Sequence, residues 1–258
     1  MSIGIFDSGI GGLTVFKAIL KDFPDANIFY LGDTARVPYG NKSKDTIIRY
    51  SVECATFLKK NFDISLLIVA CNTASSYAIE TLKSYLNIPV IDVITPGVEY
   101  ALKISKTKKI GVIGTQATIR SGSYQKLLEE NGAKVFSKPC PLFVPLVEEG
   151  RIKGEITRLI IKDYLQEIID KDIDTLILGC THYPLLKEEI LTMYPSINIV
   201  DSTSTINSYV KKFLNNIQKN SHKKIFITDE APSFYTLKNL LLPEIPLEKV
   251  ELSKICSL

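Results

Sequence analysis

The chain has 258 residues, enough for one large domain or two modest ones, and a formal net charge of +3 from 31 basic and 28 acidic residues. This near balance argues against strong nucleic-acid binding, which needs a concentrated basic surface, and the 45% hydrophobic content is that of a folded globular protein. No basic leader precedes the first apolar run and no apolar run is as long as a membrane span, so we expect a cytoplasmic protein that does not bind membranes.

Short apolar runs alternate with amphipathic stretches along the chain. Strands are predicted at Ile3–Phe6, Asn27–Leu31, Leu66–Ala70, Val90–Val93, Ile110–Ile113, Lys134–Ser137, Thr175–Leu178, Asn198–Val200 and Lys224–Ile227. Helices are predicted at Leu13–Lys21, Lys44–Asn61, Ser75–Leu86, Ser123–Asn131 and Glu155–Lys171. Several strands are continuous runs of Ile, Val and Leu, as expected when both faces of a parallel sheet are buried. The alternation predicts an α/β fold with mostly parallel sheets.

The sequence also contains an internal repeat. Residues 63–73 align with residues 172–182, and the same offset places 88–92 on 197–201. Further upstream, at a slightly smaller offset, Ile3–Phe6 matches Ile110–Ile113 and Val37–Pro38 matches Val144–Pro145. These ordered matches predict two homologous α/β domains with the active site in the cleft between them. One comprises residues 1–97 plus the tail 208–258 packed back on it, and the other residues 98–207.

The chain has five cysteines, which are Cys54, Cys71, Cys140, Cys180 and Cys256. An odd count in a reducing compartment does not predict a disulfide framework. There is no pair with CxxC spacing and the chain has only two histidines. We therefore expect no metal site.

Cys71 and Cys180 hold matching places in the repeat, each between an apolar strand and a helix. Helix N-termini favour a thiolate, so we expect the pKa of these thiols to fall below about 8.5. Asn72 or Thr73 is the expected N-cap after Cys71, and Pro184 is expected to start the helix after Cys180. A lone buried cysteine is often only a small hydrophobic residue. The duplication instead predicts two thiols that face each other across the cleft.

Polar residues lie close to both predicted turns. His182, two residues after Cys180, is predicted to be an acid–base partner, with a structural or capping role as the alternative. Asp7 and Ser8 end the first strand, and the glycines that follow indicate a tight turn with close backbone approach to a ligand. This segment is not a dinucleotide fingerprint, because Thr14 occupies the place of the third glycine.

Three further segments carry weaker signals. Thr115 and Thr118 lie at the turn of the second half that is equivalent to Asp7–Ser8, where they can bind a ligand or cap a helix. Pro38, Tyr39 and Gly40 indicate a rigid loop. Glu148 alone is a charge of the kind that is usually solvated.

Together these segments resemble the glutamate racemases of the aspartate/glutamate racemase superfamily. The motifs occur in family order and at family spacing from residue 3 to about 186: 6–9 with 11–12, 33–40, 70–75, 114–118, 141–148 and 179–184. The tail is looser. Thr228, Asp229 and Glu230 stand where the family usually has a Ser-Gly-Asp-like turn.

The resemblance implies an isomerase that interconverts L- and D-glutamate without a cofactor. In the family the thiol matching Cys71 acts on the D-isomer and the one matching Cys180 acts on the L-isomer. Asp7 would assist Cys71, while His182 and Glu148 would assist Cys180. The implied substrate-binding residues are Asp7, Ser8, Pro38, Tyr39, Gly40, Asn72, Thr73, Thr115, Thr118, Thr181 and His182. D-Glutamate as product implies a role in peptidoglycan synthesis, and hence in cell-wall biogenesis and cell shape. Dimers are common among similar proteins, which favours a homodimer.

Three alternatives remain open from the sequence. The first is an aspartate racemase of the same superfamily, although His182 fits the glutamate pattern better than the aspartate one. The second is a thiol hydrolase or transferase with a Cys180–His182 nucleophile pair, which leaves Cys71 and the repeat unexplained. The third is a two-lobed solute-binding protein with no catalytic activity, which leaves the paired thiols unexplained.

Overall fold

The computed structural model describes residues 2–213 and 221–252. Cys256 and part of the lysine-rich stretch Lys211–Lys224 lie outside these residues. The strands of the first half are β1 (Ser2–Asp7), β2 (Asn27–Gly32), β3 (Leu66–Val69) and β4 (Val90–Asp92). Its helices are α1 (Leu13–Asp22), α2 (Lys44–Phe62), α3 (Asn72–Tyr77), α4 (Ile79–Tyr85) and α5 (Ile94–Ile104).

The second half repeats this alternation. Its strands are β5 (Lys109–Gly114), β6 (Lys134–Pro139), β7 (Thr175–Gly179) and β8 (Asn198–Asp201). Its helices are α6 (Gln116–Ser121), α7 (Ser123–Glu130), α8 (Phe143–Glu148), α9 (Glu155–Ile169), α10 (Lys187–Met193) and α11 (Ser202–Val210). The tail adds β9 (Lys223–Ile227), α12 (Pro232–Leu241) and β10 (Leu247–Lys249).

The strands form two sheets in which every described pairing is parallel. The six-stranded sheet has the order β10-β9-β2-β1-β3-β4, and the four-stranded sheet has the order β6-β5-β7-β8. The α/β prediction with mostly parallel sheets is therefore confirmed. In such sheets ligands bind beyond the carboxyl ends of the strands.

The register of the central strands brings the predicted site residues to these ends. Phe6 pairs with Val69, so Ser8 and Cys71 both follow two positions after the last pair of β1 and β3. Gly114 pairs with Gly179, so Thr115 and Cys180 are neighbours beyond β5 and β7.

The repeat is also visible in the backbone before the two strands that lead to the cysteines. Asp63 and Asp172 are equivalent in the sequence repeat, and both adopt left-handed conformations, with φ of 41° and 56°. Few non-glycine residues adopt this region. The two halves therefore share a turn geometry as well as a strand pattern.

The structure corrects several boundaries. All nine predicted strands are present, but β10, a short strand with a largely exposed end, was not predicted. The predicted helix Ser75–Leu86 begins earlier, at Asn72, and is divided at Ala78 into α3 and α4. The predicted domain boundaries at 97 and 207 fall inside α5 and α11. β9 and β10 of the tail belong to the first sheet, and the division into domains stays a prediction.

A single apolar cluster joins the two halves. It extends from Ile5 in β1 and Phe16 in α1 to Leu165 in α9 and Leu176 in β7. Because this core is continuous, the turns at the ends of the two sheets are held in a fixed relation. No helix in the described part of the chain is long and apolar enough to cross a membrane.

Candidate active site

Cys71 and Cys180 line one small cavity between the carboxyl ends of the two sheets, as the repeat predicts. Their exposed fractions are 5% and 6%. The cavity measures about 20 Å³, which is space for about one water molecule. The predicted site residues that line it with the cysteines are Ser8, Pro38, Tyr39, Gly40, Asn72, Thr73, Thr115, Thr181 and His182. The cavity adjoins a larger pocket of about 280 Å³, with which it shares Val37, Pro38, Gly40, Thr115 and Val144.

Cys71 caps the helix that follows it. Its sulfur accepts a hydrogen bond from the Ala74 backbone N–H at 3.4 Å, and its thiol donates to Ser8 Oγ at 3.3 Å. The prediction that Asn72 or Thr73 is the N-cap is therefore wrong. The sulfur itself occupies the place of a capping oxygen.

The expected low pKa of Cys71 is also wrong. Burial raises the pKa of its thiol to about 12, and the nearby carboxylate of Asp7 adds to the rise. The hydrogen bonds with Ser8 and the Ala74 N–H act in the opposite direction but do not compensate. α3 has only six residues, and a helix terminus of this kind stabilises a charge by about 1 kcal/mol or less at ordinary exposure.

Asp7 lies just behind the cavity and connects the two halves. Its carboxylate accepts hydrogen bonds from the Gly9 N–H at 3.0 Å and from Thr181 Oγ1 at 3.2 Å. Burial raises the pKa of Asp7, while the charge of His182 and these hydrogen bonds hold the rise back. Asp7 is completely buried, so proton exchange at its carboxyl group depends on its neighbours rather than on bulk water.

Cys180 belongs to a chain of three polar groups. Its sulfur lies 3.9 Å from His182 Nδ1, and His182 Nε2 lies 3.2 Å from Glu148 Oε1. Burial lowers the pKa of His182, but its contacts with Cys180 and Glu148 outweigh burial and raise the pKa to about 10. The imidazole is therefore cationic at neutral pH. Glu148 borders a larger adjoining pocket of about 280 Å³ rather than the cavity itself.

Three threonine hydroxyls form a cluster at the wall of the cavity. Thr73 Oγ1 lies 2.9 Å from Thr115 Oγ1 and 3.1 Å from Thr118 Oγ1, and the last two are 2.9 Å apart. Thr115 both lines the cavity and caps α6, through a hydrogen bond from the Thr118 N–H. Thr118 lies behind it and does not reach the cavity.

The loop at Tyr39 is held by the tail of the chain. Tyr39 donates a hydrogen bond to the buried carboxylate of Asp33, which also accepts one from Thr228 Oγ1 at 3.0 Å. Thr228 begins the segment that departs from the family pattern. Its hydroxyl donates to Asp33 and accepts from the Ala35 N–H, and so links the tail to the segment that leads to Tyr39.

The comparisons with known proteins decide the family. The profile of the family described as Asp/Glu/Hydantoin racemase matches residues 13–207. The chain belongs to this family. It is 63% identical over its full length to the glutamate racemase of Persephonella marina, all of which it covers.

Solved structures agree with this assignment. The chain matches the glutamate racemase of Aquifex pyrophilus at 54% identity with a TM-score of 0.84, over 96% of this chain and 98% of that one. It matches the glutamate racemase of Francisella tularensis, solved in complex with D-glutamate, at 38% identity with a TM-score of 0.87, over 98% of each chain. The resemblance to glutamate racemases and the two-sheet architecture are thus confirmed.

Two walls of the cavity, Val37 and Val144, were not predicted as site residues. Two sequence signals pointed to them, which were the match of Val37–Pro38 with Val144–Pro145 and their places in the motifs at 33–40 and 141–148. The predicted close approach of the first turn to a ligand stays a prediction, and the structure shows that this turn also packs closely against the second half. A Cβ added at Gly11 would come within 2.5 Å of Thr181 Oγ1 and 2.6 Å of His182 Nδ1. Because glycine has no side chain, Gly11 leaves room for Thr181 and His182 of the second half.

Cys54, Cys71, Cys140 and Cys180 are free buried thiols. In residues 2–213 and 221–252, no three His, Cys, Asp or Glu side chains are grouped so that they could hold a metal ion.

Proposed function

We propose that the protein interconverts L- and D-glutamate by proton transfer between the substrate's α-carbon and two cysteines, without a cofactor. The observation that carries the proposal is the presence of Cys71 and Cys180, from equivalent turns of two halves, in one buried cavity. Inversion at carbon needs an acid and a base on opposite faces of the same atom. A duplicated thiol supplies both.

In the proposed reaction one sulfur, as thiolate, removes the α-proton and becomes a thiol. The electron pair of the broken C–H bond passes to the α-carboxylate, which becomes enediolate-like. The opposite thiol then delivers its proton to the other face and becomes a thiolate. Polar groups at the turns, on Ser8, Asn72, Thr73 and Thr181, are suited to stabilise the intermediate charge.

The different environments of the two sulfurs support different resting roles for them. A Cys71 thiol with a pKa of about 12 rests protonated, which is the form that donates a proton. The opposite sulfur, that of Cys180, which lies 3.9 Å from His182 Nδ1, is then the proposed base that acts on L-glutamate. In the D-to-L direction Cys71 must first lose its proton, and Asp7 is the buried carboxylate placed to assist.

We extend the proposal to the setting of the reaction. The D-glutamate produced would supply peptidoglycan synthesis, and thereby cell-wall biogenesis and cell shape, in the cytoplasm. This role is supported by the family to which the chain belongs. The homodimer stays a prediction.

The test is proton NMR of L- and of D-glutamate in D₂O, without added cofactor, for the wild type and for Cys71→Ser and Cys180→Ser. The wild type is expected to replace the α-proton by deuterium and to form the opposite enantiomer. Each serine variant is expected to racemise roughly 10²–10⁴-fold more slowly, because it lacks one of two acid–base groups. Cys140→Ser is the matched control, since Cys140 is buried but does not line the cavity.

Other outcomes would contradict the proposal. No exchange from either enantiomer by a folded protein that binds glutamate would refute it. Faster turnover of aspartate than of glutamate would favour an aspartate racemase. A covalent adduct on Cys180 in mass spectrometry would favour a hydrolase or transferase. Unchanged binding of glutamate by the double Cys71→Ser, Cys180→Ser variant, with no wild-type turnover, would favour a solute-binding protein.

A further inference from the structure

Tyr124 in α7 connects the turns of the two cysteines. Its hydroxyl donates a hydrogen bond of 2.6 Å to Oδ1 of Asn72, the residue that follows Cys71. Its ring packs at Gly179, the residue before Cys180, where an added Cβ would lie 3.1 Å from Tyr124 Cε2. Tyr124 is 4% exposed. One rigid side chain from the second half thus reaches the first turn of a helix in the first half.

The other end of the Asn72 amide has no partner. Asn72 Nδ2 is buried and makes no hydrogen bond within the described residues, although Asn72 lines the cavity. An unsatisfied buried donor costs about 1–3 kcal/mol, so native structures rarely keep one without a use. A carboxylate oxygen of a bound amino acid would satisfy it.

We propose that Tyr124 is a positioning residue that holds the Asn72 amide with Nδ2 directed into the cavity, where it donates to a carboxylate oxygen of the substrate. The inference rests on the proposed racemase function, because it takes the ligand to be an amino acid.

The direction of the hydrogen bond fixes the orientation of the amide. Oδ1 accepts from the phenol, which leaves Nδ2 at the other end of the planar amide, directed away from the phenol. If the amide were flipped, Nδ2 would face the Tyr124 hydroxyl, and both groups are donors. The hydroxyl could then accept from Nδ2 only by turning its own proton away from Asn72, which would leave that proton without Oδ1 as its acceptor. Burial raises the pKa of Tyr124, so the phenol stays protonated and remains a donor.

The inference is tested by initial-rate kinetics of glutamate racemisation for Tyr124→Phe, Asn72→Ala and the double variant. The Phe variant keeps the ring and loses only the hydroxyl. A donor to a substrate carboxylate contributes to binding, so KM is expected to rise about 10-fold, and any strengthening of this hydrogen bond in the transition state is expected to lower kcat as well. The double variant is expected to behave like Asn72→Ala alone, since the hydroxyl acts only through the amide.

Tyr77→Phe is the matched control. The Tyr77 hydroxyl also bridges the halves, donating to the Ala117 carbonyl at 3.0 Å, but it does not touch Asn72. The control is expected to keep the wild-type KM. This comparison separates loss of amide orientation from general loosening of the contact between the halves.

A second variant keeps the test independent of the stability of Tyr124→Phe. Asn72→Asp retains an acceptor for Tyr124 but has no N–H to offer, and it is expected to weaken glutamate binding more than Tyr124→Phe does. An unchanged KM in Tyr124→Phe or in Asn72→Asp would overturn this inference, and so would additive effects in the double variant. The proposed function would still stand in these cases, as long as the unmodified protein racemises glutamate. A wild type that does not racemise glutamate would overturn both.

Discussion

Replacing Glu148 by glutamine tests the electrostatics around Cys180. Burial alone would lower the pKa of His182, but its contacts with Cys180 and Glu148 raise it from 6.5 to about 10. Glutamine has the size of glutamate without its charge. Removing an opposite charge at a distance of 3.2 Å is expected to lower the pKa of His182 by roughly 1–3 pH units.

The same change has a predictable effect on stability. A histidine whose pKa is raised on folding stabilises the protein fully below its unfolded value of 6.5, and this contribution is lost as the pH rises through about 10. At about 1.4 kcal/mol per pH unit, the variant is expected to lose roughly 1–4 kcal/mol of unfolding free energy at pH 7. The difference between the two proteins is expected to shrink as the pH rises toward about 10 and to be nearly lost above it.

NMR titration of the histidine ring protons measures the effect directly. The chain has only two histidines, and a His222→Gln variant assigns the signals. The wild-type His182 signal is expected to stay in its protonated position through neutral pH and to titrate near 10. Urea unfolding at pH 7 and pH 10 measures the stability difference. A wild-type midpoint near 6.5, or a midpoint that Glu148→Gln leaves unchanged, would refute the reasoning.

Two further predictions concern other carboxylates. Asp7→Asn is expected to lower the pKa of Cys71 from about 12, because the charge of Asp7 adds to the effect of burial; an unaltered pH profile of Cys71 alkylation, followed by mass spectrometry, would contradict this. Burial raises the pKa of Asp174, but hydrogen bonds from Ser105 and Thr107 outweigh burial and lower it from 3.8 to about 2. This contribution is present above pH 3.8 and lost as the pH falls through about 2. Asp174→Asn is therefore expected to cost about 1 kcal/mol at pH 5, after allowance for solvent screening, and less at pH 2; an equal loss in urea unfolding at both pH values would count against it.

The sequence was most informative where local pattern and burial coincide. Strands such as β3 and β7 are buried along their whole length, so their apolar runs stand out from the helices around them. The repeat then placed Cys71 and Cys180 at equivalent strand ends. Two short sequence segments thus predicted that both thiols lie in one cavity.

Features that depend on distant contacts could not be predicted in this way. The pKa of Cys71 depends on burial by both halves and on the charge of Asp7, not only on the helix that follows it. The contact between Tyr124 and Asn72 joins residues 52 positions apart, and Tyr124 lies outside the aligned segments of the repeat. β10 was missed because two of its three residues are exposed and its pattern is weak.

The two halves are alike in geometry but not in chemistry. Cys71 contacts Ser8 and the Ala74 N–H, whereas Cys180 contacts His182. L- and D-glutamate have equal free energies in water, so kcat/KM must be equal in the two directions of a racemase whatever the asymmetry of its site. A change on the Cys180 side, such as Glu148→Gln, must therefore lower kcat/KM equally for both enantiomers. The asymmetry of the site can appear only in the separate values of kcat and of KM, which can differ between L- and D-glutamate while their ratio stays the same. In the proposed two-thiol mechanism the partners of the two thiols can therefore differ, provided that each thiol regains the protonation state in which the next turnover begins.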